Sequence, residues 1–188
     1  MKKYLIVGLG NIGEQYTQTR HNIGFQILDA LAAEQKTTFE TDKLGDLAQF
    51  KFKGRTFILL KPSTYMNLSG KAVKYWMTKE KIAIENTLII TDDLHIDFGV
   101  FRLKGKGSAG GHNGLTDVQE KLQTTTYPRF RFGVGSNYPK GQQVAHVLGQ
   151  WTKDETSLLI ERVDTACKAI ISFGTAGFSN TMNAFNGK

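Results

Sequence analysis

Short, wholly apolar runs alternate along this chain with stretches whose apolar residues recur every three or four positions. Tyr4 to Val7 is the first run. Closed by Gly8, it suits a strand covered on both faces. Ile23, Ile27 and Leu31 then repeat at helical spacing and predict an amphipathic helix over Asn22 to Glu34. Between Leu47 and Lys61 the period drops to two: Phe50, Phe52, Phe57 and Leu59 predict two strands, with a hairpin turn at Lys53-Gly54-Arg55. Lys71 to Lys81 reads as a helix, Thr87 to Thr91 as a buried strand, and Val100 to Leu103 as another strand. Leu115, Val118 and Leu122 mark a helix, and Arg129 to Gly135 a strand. Leu159, Val163, Ala166, Ile170 and Phe173 predict a long helix over Asp154 to Phe173, and a last one covers Gly177 to Phe185. This alternation, with one hairpin, predicts an α/β fold: a single domain over residues 1–188, built on a twisted mixed β-sheet with helices on both faces.

In such sheets ligands bind beyond the carboxyl ends of the strands, where the turn after Val7 lies. Gly8-Leu9-Gly10-Asn11-Ile12-Gly13 matches the G-x-G-x-x-G fingerprint of dinucleotide binding. That fingerprint needs a helix to open at once, followed by an acidic residue at the end of a second strand. Here Glu14 to Arg20 is polar and without helical periodicity, so the context fails. Asn11 inside the turn and His21 after it need another explanation.

Charge adds one bias. Lys and Arg number 24 against 17 Asp and Glu, a formal net charge of +7. An excess of this kind favours a polyanionic partner without specifying one. The single cysteine, Cys167, excludes an internal disulfide and falls in the apolar periodicity of the long helix, as a core residue does. No stretch approaches the roughly 18 apolar residues of a membrane span, and the N-terminus lacks the pattern of a signal peptide. A soluble protein of a reducing compartment is expected.

Three polar clusters end or follow buried strands: Asn11 with His21, Met66 with Asn67, and Asp92 with His112 and Asn113. Loops of one α/β sheet can bring such clusters into a single crevice. Histidine is the side chain suited to act as a base near neutrality, and a carboxylate on its other ring nitrogen fixes its tautomer. His21 and Asp92 are candidates for that pair. Asn11, Asn67 and Asn113 offer amide donors for a reacting water or a developing oxyanion; the plain alternative for asparagine beside glycine is a turn residue bonded to its own backbone. Asp92 and Asp93 are adjacent, so only one is expected to face the site. His112 stands where a helix-capping or packing role is equally natural, and His95 and His146 fit no pattern. Metal-ligand spacings and a G-x-S-x-G elbow are both missing, which leaves water as the nucleophile. The Lys104 to Lys106 loop runs into glycines before a helix, an arrangement able to bind phosphate. Arg129 and Arg131 should project to one side of their strand. A solvated basic face accounts for the same residues.

The segments GLGNIGEQYTQTRHNIG, KPSTYMNLSG, TDDLHIDFG and GSAGGHNGL, in this order, resemble bacterial peptidyl-tRNA hydrolase over residues 3 to 186. The resemblance implies a cytoplasmic, cofactor-free, generally monomeric α/β enzyme of ribosome rescue with no metal and no obligate protein partner. Such an enzyme hydrolyses the ester between a peptide, or an N-blocked aminoacyl group, and the 3′-terminal ribose of tRNA. By matching motifs, His21 is implied as the catalytic base and Asp92 as its orienting carboxylate. Asn11, Asn67 and Asn113 become the amides that position substrate and water, Met66 lines the peptide channel, and Tyr16 joins the substrate-binding set. Lys104 and Arg131 correspond to a clamp for the 5′ phosphate of tRNA, and a basic surface would follow the acceptor stem toward the CCA end. Two departures stand out: Ile12 replaces a usual proline, and the loop before Arg129 is slightly short. The competing readings are an RNA-binding module without chemistry, which would not need His21 or Asp92, and a dinucleotide-dependent oxidoreductase.

Overall fold

The computed structural model describes all 188 residues, Met1 to Lys188. In chain order the elements are β1 (Lys2–Gly8), α1 (Ile23–Glu34), β2 (Glu40–Asp42), β3 (Gly45–Phe52), β4 (Arg55–Pro62), α2 (Ser69–Glu80), β5 (Thr87–Asp93), β6 (Phe101–Lys106), α3 (Asn113–Leu122), β7 (Thr126–Gly133), α4 (Gln143–Val147), α5 (Lys153–Thr175) and α6 (Phe178–Phe185). The strands form one seven-stranded sheet in the order β2-β3-β4-β1-β5-β7-β6. β4, β1, β5 and β7 run parallel, whereas β2, β3 and β6 join antiparallel at the edges. The sheet is mixed, as the sequence predicts.

Strand alternation divides the interior into two cores. Tyr4, Ile6, Leu88, Ile90, Phe130 and Phe132 meet Ile27 of α1 and Val163 and Ile170 of α5 on one face. Leu5, Val7 and Ile89 meet Val73 and Trp76 of α2 and Leu115 and Val118 of α3 on the other. Helices therefore cover both faces. Cys167 lies buried in the first core, where burial pushes its thiol up to about 12, so it is a packing residue and no nucleophile.

Several boundaries differ from the expectations. Lys104 to Lys106 is the end of strand β6, not a loop; the glycine loop starts at Gly107. β7 opens at Thr126, three residues before the expected Arg129. Pro128 lies there, beside an irregularity in the β6 ladder between Lys104 and Lys106, and a proline is tolerated in a strand where the ladder is interrupted. The three exposed residues of β2 and the five-residue α4 have too short a pattern to predict.

Candidate active site

The parallel strands β1, β5 and β7 end on one side of the sheet, and a cleft of about 340 Å³ opens there. Asn11, His21, Met66, Asn67, Asp92, His112 and Asn113 all line it. Three loops thus deliver the polar clusters to one place.

The glycines of the first turn act through close packing. A side chain on Gly24, in the first turn of α1, would meet Leu9 N at 2.6 Å, and one on Gly8 would collide with the carbonyl of Gly24. Backbone therefore lies on backbone where β1 meets α1. The intervening chain forms two short 3₁₀ turns, Glu14–Tyr16 and Arg20–Asn22, so no helix N-terminus follows the glycines where a pyrophosphate would need one. The second of these turns presents His21 to the end of β5.

Asp92 is the buried centre of the cleft. His21 Nδ1 lies 2.9 Å from both carboxylate oxygens, and His112 Nε2 lies 2.9 Å from Oδ1. His112 Nδ1 accepts the backbone N–H groups of Gly114 and Leu115 at 3.0 and 3.3 Å, which makes this residue the N-cap of α3. A nitrogen that accepts carries no proton, so the proton of a neutral His112 sits on Nε2 and is donated to Asp92. His21 likewise donates from Nδ1, because an ionised carboxylate only accepts, and its Nε2 is left with a free lone pair in the cleft. Burial alone would raise the Asp92 carboxyl, but the two imidazoles outweigh it and hold the group well below the usual carboxylate range. Burial alone would lower His21; the charge and hydrogen bond of Asp92 outweigh it, and its pKa stands above 6.5.

The asparagines divide into one braced amide and two free ones. Asn11 Oδ1 accepts the Met66 N–H at 2.8 Å, which turns its Nδ2 toward the cleft as a donor. Asn22 clamps the same turn twice, accepting the Asn11 N–H and donating to the Asn11 carbonyl, each at 2.8 Å. The turn is braced by side-chain bonds with Ile12, not a proline, after Asn11, and the Asn11 side chain does not bond its own backbone. Asn67 and Asn113 are exposed at the cleft, and their side-chain amides have no hydrogen-bond partner within the chain. His21, Asp92 and His112 also present ligating atoms within 4.8 Å of one another. Both ring nitrogens of His112 are engaged in hydrogen bonds, Nε2 with Asp92 and Nδ1 with the backbone of α3.

A family model described as peptidyl-tRNA hydrolase matches residues 5–188. The chain belongs to the peptidyl-tRNA hydrolase family. A peptidyl-tRNA hydrolase of Phocaeicola vulgatus is 56% identical over 186 residues, covering 99% of this chain and 100% of that protein. One of Cytophaga hutchinsonii is 53% identical, with 99% of each covered. The crystal structure of peptidyl-tRNA hydrolase from Acinetobacter baumannii superposes with a TM-score of 0.86 at 36% identity, covering 97% of this chain and 95% of that one. The chain is thus a hydrolase of ester bonds, and the dinucleotide-dependent alternative falls.

Set against the peptidyl-tRNA hydrolase motifs, most expected residues meet in the cleft and two do not. Tyr16 is half-buried in the first 3₁₀ turn and is not among the residues that line it. Lys104 is exposed on edge strand β6 and pairs in register with Arg129, whereas the strand partner of Arg131 is Arg102. Arg131 does line the cleft, donating to Asp93 Oδ2 at 3.3 Å and to Ser108 O at 2.7 Å. Asp93 consequently faces the site as well, correcting the expectation that only one of the two aspartates would. Arg129 is fully buried, donates to the carbonyls of Gly107, Ser108 and Thr125, and so ties down the glycine loop before His112.

Two groups of residues escaped the sequence reading. Val144, Val147 and Leu148, on and just after α4, form an apolar wall of the cleft, yet five residues are too few to show a period. Arg20 ties this wall to the His21 turn: it is buried, and donates to His146 O at 3.0 Å and to Glu155 Oε1 at 2.7 Å. The buried arginine beside His21 was the available signal, but its partner lies 135 residues away.

Proposed function

We propose that this chain hydrolyses the ester joining a peptide, or an N-blocked aminoacyl group, to the 3′-terminal ribose of tRNA, with water as nucleophile and His21 as general base. The observation that carries this reading is the His21 imidazole, fixed through Nδ1 to Asp92 with Nε2 open in the cleft. In the first step Nε2 takes a proton from water while the water oxygen bonds to the ester carbonyl carbon. The amides of Asn11, Asn67 and Asn113 are the donors at hand for the oxyanion and the water; one such donor contributes about 10²–10³ in rate. Collapse of the tetrahedral intermediate breaks the bond to the ribose oxygen, which takes the proton back from His21 and leaves as free tRNA. The apolar wall of Met66, Val144, Val147 and Leu148 suits the peptide side of the ester. Lys104 and Arg131 suit the phosphates of the tRNA end, a contact blind to sequence. No helix is long and apolar enough to cross a membrane, and a cytoplasmic monomer fits the reaction.

Release of free tRNA from an N-acetyl-aminoacyl-tRNA tests the reading, with wild type and His21→Asn side by side in EDTA. Wild type should be active and the variant slower by at least about 10²-fold, the contribution of a positioned general base. Near-wild-type turnover of the variant would sink the mechanism. Activity abolished by EDTA would show that a metal is needed, and tRNA binding without hydrolysis in either protein would leave a binding module.

A further inference from the structure

We infer that Asp117 is a positioning residue for the hydrolysis: from inside α3 it caps the start of α2, and so fixes where the Asn67 amide stands relative to Asn113. The inference rests on the reading above that these two amides serve the ester, and adds the group that sets their spacing.

The start of α2 does not cap itself. Its N-cap position is Leu68, whose side chain has no acceptor, and no acidic residue follows in the first turn. Ser69 is fully buried and spends its hydroxyl as a donor to Met66 O at 2.7 Å. Lys71 adds a cation at the end of the helix where the dipole favours an anion. The orphan N–H groups of this turn therefore need an acceptor from elsewhere. Asp117 is 7% exposed, and its Oδ2 accepts the Gly70 N–H at 2.7 Å. Its Oδ1 pairs with Lys121, one turn further along α3, at 3.3 Å. Burying a carboxylate is costly unless it is bonded. What it adds over an apolar residue, such as its neighbours Leu115 and Val118, is a directional bond to the other helix.

The two helix starts also meet without intervening side chains. A side chain on Gly70 would meet Asp117 O at 2.5 Å, and one on Gly114 would meet Met66 Sδ at 2.6 Å. Asn67 stands three residues before Gly70, and Asn113 four before Asp117, on the same stripe of α3. α3 is itself anchored, because its N-cap His112 donates to Asp92. The bond between Asp117 and Gly70 thus carries the frame of Asp92 and α3 to the turn that presents Asn67, whose own amide has no partner to hold it. Misplacing a reacting group by about 1 Å costs about 10²-fold in rate.

The test is steady-state hydrolysis of N-acetyl-aminoacyl-tRNA by Asp117→Ala, Asp117→Asn, Asn67→Ala and the double variant Asn67→Ala/Asp117→Ala, each well below its thermal midpoint. Asp117→Ala should lower kcat about 10- to 10²-fold, with KM little changed, as when an interaction made only in the transition state is lost. Asp117→Asn keeps an oxygen for the Gly70 N–H and should recover most of kcat. Asp117→Leu refills the space without the bond; it should lose kcat as alanine does, and takes its place if Asp117→Ala does not fold. The acid limb of the pH profile, which belongs to His21, should stay where it is. Because both residues act through one amide, the loss in the double variant should fall well short of the product of the single losses. A cap that serves stability alone would lower the thermal midpoint and leave kcat at the wild-type value in Asp117→Ala. That result overturns the inference, as does a double variant that loses the full product. Asn67→Ala reads the catalytic role separately. If it slows hydrolysis and Asp117→Ala does not, the inference alone falls; if it leaves kcat unchanged, the amide reading falls and the inference with it.

Discussion

Asp92 accepts an imidazole N–H from each of two histidines at 2.9 Å, and this double use separates the two rings chemically. His112 spends its second nitrogen on the α3 backbone and is inert as a base; His21 keeps its second nitrogen for the cleft. A base must be neutral to act, so hydrolysis should rise with pH to a half-point at the His21 pKa, above 6.5. Asp92→Asn removes the charge that holds this pKa up while burial, which lowers it, stays. The acid limb of kcat/KM should therefore move to lower pH in the variant, with the plateau reduced about 10⁴-fold, as when a carboxylate that orients a catalytic imidazole is lost. An acid limb that stays in place would show that Asp92 does not set the titration of His21. The same two groups give opposite signs in stability. The Asp92 contribution is complete above the ordinary carboxylate pKa and is lost as the pH falls through its lowered folded value, whereas that of His21 is complete at acid pH and lost as the pH rises past its raised one.

At the scale of elements, the site is held by contacts whose partners are far apart in sequence, and this decides what a reader of the sequence sees. The strands, the long helices and the grouping of Asn11, His21, Met66, Asn67, Asp92 and Asn113 were legible, because apolar periodicity marks each element and polar residues mark strand ends. The tautomer of His112 was not, since it depends on two backbone N–H groups at the start of α3. Nor was the anchoring of α4, for Arg20 reaches across 126 residues to the carbonyl of His146 and 135 to Glu155. Glu155 also completes the capping box of α5 with Thr152, so one carboxylate fixes both the start of α5 and the arginine beside His21. Arg20→Ala should cost about 3 kcal/mol in urea unfolding, the low end for breaking a buried pair, because Glu155 keeps its bond from the Thr152 N–H. Hydrogen exchange over residues 143–150 should quicken and KM for the ester substrate should rise more than kcat falls. Arg20→Lys, which retains one donor, should restore part of both effects. Unchanged exchange in that segment would mean the wall of α4 stands without the arginine.

Over the whole molecule, charge is distributed so that the carboxylates near the site are engaged while cations stand open around it. Asp92 is taken by two histidines and Asp93 by Arg131, so neither offers an uncompensated negative charge to an incoming phosphate. Beyond α3 the sheet continues into β6, where Arg102 and Lys104 are exposed on the face that carries Arg129 and Arg131 in the paired strand. Cross-strand neighbours point to the same side, so this edge is a basic strip whose inner end is the cleft. The two residues of the expected clamp should consequently behave differently. Lys104 is bound to nothing in the chain; Lys104→Ala should leave kcat alone, weaken tRNA binding uniformly, and lower the log–log salt slope by about 0.9, the value of one phosphate contact. Arg131 also restrains Asp93 and the carbonyl of Ser108. Its replacement by alanine should lower the slope similarly and reduce kcat as well, because the Gly107–Gly111 loop that leads into His112 loses one of its two arginine anchors. Steady-state kinetics on acylated tRNA at several salt concentrations separate the cases: a salt slope unchanged in Lys104→Ala removes that residue from the substrate's path, and an unchanged kcat in Arg131→Ala reduces Arg131 to a phosphate contact alone.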